Sequence, residues 1–162
     1  MNATQFEDIN DLVGRSQLDD IVVHEERARR VVWPSDAEFE APDPSLSFGF
    51  RKDGNRLHFR FRIVLADENA EYVADLEGVY SVEDSDELSL GSDLIQEFAG
   101  RVALMAIYPF MRVSVFGSAG RLGLPRPILS MIRQGDFQPG EQMSDDDVRA
   151  VFADNRSELN QD

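Results

Sequence analysis

Two histidines, a glycine-rich run and a cluster of carboxylates are where this 162-residue chain could do chemistry, so they are weighed first. His24 and His58 both fall on segments with strand character. His58 alternates with Arg56, Arg60 and Arg62 on a polar face, where a strand histidine is expected to be a plain surface side chain. A metal would need further ligands, and the sequence sets none beside them. The run Gly117-Ser118-Ala119-Gly120-Arg121-Leu122-Gly123 is glycine-rich. It is not a phosphate loop: no Gly-Lys-Ser/Thr follows, and it closes a helical stretch instead of opening a helix after a strand. We expect a helix end with close backbone packing there. The carboxylates from Glu83 to Glu87 lack the alternation and the glycine of a calcium loop. Ser118 has no base near it in sequence. Cysteine is absent, which removes disulfides, thiolate metal sites and cysteine nucleophiles. The expectation is a protein with no catalytic site, no metal and no cofactor.

Charge narrows the partners. The formal net charge is -15. Residues 66–97 hold eleven acids and no Lys or Arg, and residues 136–162 hold eight acids against Arg149 and Arg156. A phosphate backbone would be repelled, so no nucleic acid is expected. A basic partner would be attracted, and the charge favours solubility. The N-terminus is acidic without an apolar run, so no signal peptide is read there. The longest apolar segment, Val102 to Ile107, falls far short of the ~18 residues of a membrane span. These features give a cytoplasmic protein, at most peripheral to a membrane.

The elements that would position any site follow from periodicity. Leu18 to Trp33 reads as a long first strand, followed by a linker marked by Pro34, Pro42 and Pro44. Leu46, Phe48 and Phe50 then alternate with polar residues. After Lys52-Asp53-Gly54-Asn55, Leu57, Phe59, Phe61, Ile63 and Leu65 alternate likewise. Asp53-Gly54 predicts a type I′ hairpin turn. That turn pairs Phe50 with Leu57, Phe48 with Phe59 and Leu46 with Phe61. A second hairpin turns at Glu68-Asn69 into a fourth strand, Tyr72 to Val82. Its register pairs Leu57 with Tyr80, Phe61 with Leu76 and Leu65 with Tyr72. On the other face it pairs Arg62 with Asp75 and Arg60 with Glu77. A slip of one residue would ruin both faces. The sheet thus has an apolar face and a charged, solvated one.

After an acidic connection at Glu83 to Glu87, a helix is predicted over about Ser92 to Tyr108, capped by Ser92 or Asp93. Leu94, Phe98, Val102 and Met105 or Ala106 recur at helical spacing. Pro109 breaks or kinks it. A second helix follows to Leu122, ended by Pro125 and Pro127. A short helix, Ser144 to Ala153, is expected in the tail. The fold class is α+β: a four-stranded antiparallel sheet in the order 2-3-4-1, a long helix, a proline break and a second helix. Residues 1–135 form one domain with an N-terminal extension at 1–16, and 136–162 form an acidic tail.

Residues 98–129, FAGRVALMAIYPFMRVSVFGSAGRLGLPRPIL, carry a resemblance. A helix ends in an aromatic step at Tyr108-Pro109-Phe110. A second helix follows over Met111 to Leu122, and the chain exits at Leu124-Pro125. With the strand EYVADLEGVYSV at residues 71–82, this resembles the SecB family over about residues 17–135. The 98–129 stretch looks most like the SecB-like chaperones of toxin–antitoxin modules. The resemblance implies a homo-oligomer, a dimer of dimers, that holds unfolded or precursor polypeptides in apolar grooves. Clients would be secretory precursors or a labile antitoxin. Groove aromatics would match Tyr80, Phe98, Tyr108, Phe110 and Phe116. In the export branch an acidic sheet face docks the translocation motor SecA, which would place Asp75 and Glu77 in a docking face. The predicted arginine neighbours argue instead for structural cross-strand pairs at both positions. The N-terminal extension, the acidic connector and the weakly apolar tail depart from the family.

Three readings follow. The first is an ATP-independent holdase, for export or for control of an antitoxin. The second is a non-enzymatic adaptor that recruits a basic partner on an acidic sheet face. The third is a small-molecule-binding α+β domain. Exposed apolar grooves favour the first, a bare charged face the second and a closed polar pocket the third.

Overall fold

The computed structural model describes residues 3–32 and 45–129. Trp33, the proline linker and the tail with its expected helix lie outside the described residues. The elements in chain order are β1 (Thr4–Phe6), α1 (Ile9–Arg15), β2 (Ser16–Arg30), β3 (Ser45–Asp53), β4 (Arg56–Ala66), β5 (Ala70–Val82) and β6 (Leu88–Leu90). Helix α2 (Ser92–Phe98) then runs through a π-helical turn, Ala99–Ala103, into α3 (Leu104–Arg121).

Alternation builds the main sheet as expected. Its order is β2-β5-β4-β3, with every neighbouring pair antiparallel. In terms of the predicted strands this is the order 2-3-4-1, with the first beside the fourth. The β4–β5 register also holds, from Leu57 opposite Tyr80 to Arg62 opposite Asp75. The Asp67 carboxylate fixes that turn by accepting from the amides of Asn69 (2.8 Å) and Ala70 (2.9 Å).

The first hairpin turns one residue later than predicted. Asp53 pairs with Arg56, so Gly54-Asn55 is the turn, and Phe50 faces Phe59 while Phe48 faces Phe61. Gly54 has φ +57° and Asn55 stays at negative φ, the type II′ signature of a glycine at the first central position. The slip is two residues in register, so no side chain changes face.

Two predicted irregular regions are structured. The N-terminal extension forms β1, which pairs in parallel with β6 just after the acidic connection at Glu83 to Glu87. Asp8 caps α1 by accepting from the Asn10 amide at 2.7 Å. Phe6, Leu12 and Leu88 are buried in the core. Arg15 lies over the Phe6 ring and donates to the carbonyls of Glu83 (3.0 Å) and Asp84 (3.3 Å), tying the extension to the connector. Lys52 binds the Leu88 carbonyl in the same way.

The helix packs across the apolar sheet face. Phe59 stacks on Phe98 at 5.1 Å between centroids, and Tyr80 meets Phe98 edge-on at 5.2 Å. Gly78 admits the helix, since a Cβ there would lie 2.9 Å from Ile107 Cδ1. The N-cap is Gly91, not Ser92 or Asp93. Pro109 does not end the helix: α3 runs through it. Pro109 is exposed, so its ring stands on the solvent side of the helix. By length and composition Ser92–Arg121 could cross a membrane, which corrects the expectation of no such segment. Half of its most apolar window is buried, the pattern of a core helix. The glycine run closes α3 as expected: Leu124 N–H reaches the Ala119 carbonyl (3.0 Å), Gly123 N–H reaches that of Gly120 (3.1 Å), and Gly123 has φ +67°. This is a Schellman ending.

Candidate functional site

The outer sheet face departs from the solvated face predicted for it. Asp75 is fully buried. Arg60 donates to its carboxylate twice, from Nε and Nη2, each at 2.7 Å, a bidentate fork. Arg62, its directly opposite partner, reaches the same carboxylate at 3.2 Å and also binds Glu25. Glu77 faces Arg60 in register, as expected, and Arg60 also reaches diagonally to Asp75. Two imidazoles hold Glu77. His24 Nε2 lies 2.6 Å from Oε2 and His58 Nδ1 lies 2.5 Å from Oε1. His24 reaches across because a bulge in β2 between Val23 and Glu25 sets it out of register. The histidines are therefore not the plain surface side chains expected, and each turns one ring nitrogen to the same carboxylate. Burial pushes the Glu77 carboxyl up, but hydrogen bonds from His58 and His24, with their charge, outweigh it and hold the group below its ordinary value. Asp75 and Glu77 thus present no free carboxylate for a basic partner. Among the described residues, no group of acids and histidines is placed to hold a metal ion.

The five aromatics matched to a client groove divide. Tyr80, Phe98 and Tyr108 are buried between sheet and helix. Burial alone pushes the Tyr80 phenol up to about 12, so it stays neutral in the core. Phe110 and Phe116 are 52% and 42% exposed. The π turn causes the division. Up to Phe98 the buried residues follow helical spacing. The π turn adds one residue, so burial resumes at Ala103 and Leu104 instead of Val102 and Met105. Ile107, Tyr108, Met111, Val115 and Ala119 continue this shifted stripe inward. A second apolar stripe, Phe110, Val113 and Phe116, is left facing away from the sheet.

Beyond Gly123 the chain folds back along this open stripe. Pro109, Arg112, Val113 and Phe116 form one wall of an open groove of about 380 Å³. Pro127, Ile128 and Leu129 form the other. Val113 (70%) and Ile128 (76%) are among its most exposed residues. Arg126 places its guanidinium 4.9 Å over the Phe116 ring. Gly120 makes room for it, since a Cβ there would meet Arg126 Nε at 2.9 Å. Sequence reasoning missed Val113, Ile128 and Arg112 as groove residues, and Arg126 beside them. The spacing of 110, 113 and 116 was a usable signal, but treating Pro109 as a break cut the stripe where it begins.

No family model matches the chain. It is 35% identical over 141 residues to the SecB-like chaperone SmegB of Mycolicibacterium smegmatis, which covers 87% of this chain and 92% of that relative. Among solved structures it resembles a Mycobacterium tuberculosis SecB-like chaperone in complex with a ChAD peptide from the HigA1 antitoxin. The TM-score is 0.61 at 19% identity, over 76% of this chain and 92% of that one, a likeness of fold.

Proposed function

Because the chain belongs to the SecB-like chaperone family, we propose that it is a cytoplasmic, ATP-independent holdase that captures apolar segments of non-native polypeptides on the open face of α3. One observation carries this reading. Val113, Phe116 and Ile128 lie exposed along a single groove, with Phe110 exposed on the same stripe of the helix, while its inward stripe is packed on the sheet. Covering each of these partly exposed side chains would contribute roughly 1–2 kcal/mol, so several together hold a segment without ordering all of it. Capture of this kind needs no covalent step and no nucleotide. The client we favour is an antitoxin, by analogy with the antitoxin peptide in the Mycobacterium tuberculosis complex. Docking of an export motor on Asp75 and Glu77 is not part of this reading, since both carboxylates are closed within the sheet. Assembly into a dimer of dimers belongs to the proposal and is checked with it.

The experiment dilutes a chemically unfolded protein into buffer with stoichiometric amounts of this chain and no ATP. Light scattering follows aggregation, and the mass of the chaperone is measured in parallel. Suppression of aggregation by an assembly of subunits is the expected outcome. A monomer that leaves scattering unchanged would overturn the proposal.

A further inference from the structure

Outside the groove, the described cations are spent. Arg27, Arg29, Arg51, Arg60, Arg62, Arg101 and Arg121 face carboxylates, and Arg15, Arg30 and Lys52 donate to backbone carbonyls. Arg56, at the tip of a hairpin, stands apart. At the groove, Arg112 and Arg126 make no hydrogen bond or ion pair with any described residue. In a chain of net charge -15, two such arginines on an apolar groove need a reason.

Their placement is built. Gly120 leaves the space in which Arg126 lies, and the Phe116 ring supports the flat face of its guanidinium. Stacking on Phe116 fixes the plane of the guanidinium, and its Nε–Nη2 edge lies against Gly120, so the remaining N–H groups are those a carboxylate can take. Arg112 lines the same groove one helical turn before Phe116, on the same side of α3. No acidic residue lines the groove among the described residues; Arg126 sits at its edge over Phe116, with Asp67 and Glu68 across a neighbouring pocket but not paired to it.

Resting on the holdase reading above, we infer that this groove selects apolar segments of a partner polypeptide that carry a carboxylate beside their apolar residues. The apolar walls take the hydrophobic side chains, and Arg112 and Arg126 take the flanking Asp or Glu. The overall negative charge does not forbid this. At physiological salt the Debye length is about 8 Å, so the groove's own arginines dominate what a docked segment feels. The arginines also discriminate against segments flanked by Lys or Arg, which meet like charge at the same positions.

The test uses the full chain and three fluorescent peptides with one apolar core, flanked by Asp, Ser or Lys pairs, read by anisotropy at physiological salt. The Asp-flanked peptide is expected to bind about three- to tenfold tighter than the Ser-flanked one, the range of one or two partly exposed ion pairs. The Lys-flanked peptide binds weakest, and the spread shrinks at high salt. Arg112→Gln and Arg126→Gln each reduce the Asp-to-Ser ratio, and together they remove it. Equal binding of all three peptides overturns the inference and leaves the holdase reading standing; binding of none overturns both. If Asn at Asp145, Asp146 and Asp147 tightens the Asp-flanked peptide, the arginines serve the chain's own tail and the inference falls. It falls too if the wild-type assembly dissociates in Arg112→Gln, which would assign the groove to a second copy.

Discussion

The outer face of the sheet and the open face of α3 treat their side chains in opposite ways. On the sheet, Asp75 is closed by two arginines and Glu77 by two histidines, and each acid has its donors within one layer. On the helix, apolar residues stay exposed and two arginines keep their donors unspent among the described residues. A self-satisfied polar layer has little left to offer a partner, whereas unspent donors beside uncovered apolar surface are what a partner can satisfy. The acidic residues of β5 that a docking face would use, Asp75 and Glu77, are the ones the sheet pairs internally. Charge in a sequence marks a docking surface only where the fold leaves it unpaired.

The contrast can be broken at its closed side first. Phe98→Ala removes a ring packed on Phe59 and Tyr80 and is expected to cost about 3–5 kcal/mol in urea unfolding. A much smaller loss would mean that Phe98 is not the core residue described here. Asp75→Ala should follow at about 3 kcal/mol, because it strands Arg60 and Arg62 in a buried setting without their carboxylate. If that variant unfolds at the same urea concentration as the wild type, the sheet face is not closed and a docking role for Asp75 returns.

Glu77 sharpens the same side through pH. Its carboxyl is held below its ordinary value of 4.5 when folded. The unfolded chain therefore takes up the proton first as the solution is acidified. The stability that Glu77 contributes is full above about pH 4.5 and is lost as pH falls through the folded value. Unfolding free energies measured from pH 7 to pH 3 should fall more gently below that point in Glu77→Gln than in the wild type. Parallel curves would mean that the histidines do not hold this carboxylate.

Sequence patterning reached the sheet because alternation over long strands fixes which residues share a face; charge matching then set the β4–β5 register, while between β3 and β4 a slip of two stayed open. Phe61 against Leu76 and Arg62 against Asp75 are fixed together. It missed β1 and β6, where three-residue strands carry no period and the pairing joins Thr4 to Leu88 across most of the chain. It missed the histidine partners of Glu77 because they depend on a bulge that no periodicity announces. Of the five aromatics matched by resemblance, the groove keeps Phe116 in its wall and Phe110 on the same open stripe. A family match transfers residue types, while the phase of a helix decides where they point. Here a five-residue π turn sets that phase.

The last prediction has the smallest effect on stability and bears most directly on function. Val113→Ser changes a side chain that is already largely in water, so urea unfolding should move by less than about 0.5 kcal/mol, while Phe116→Ser, at a half-buried ring, should cost about 1 kcal/mol. The same substitutions remove apolar area from the groove and, at Phe116, the ring beneath Arg126. Suppression of aggregation at stoichiometric ratio should therefore drop severalfold in each variant while the fold and the mass in solution stay as in the wild type. If suppression persists, clients bind elsewhere and the open stripe needs another occupant. If suppression and mass fall together, the stripe joins subunits, and the contrast between a closed sheet and an open helix belongs to the lone subunit and not to the assembly.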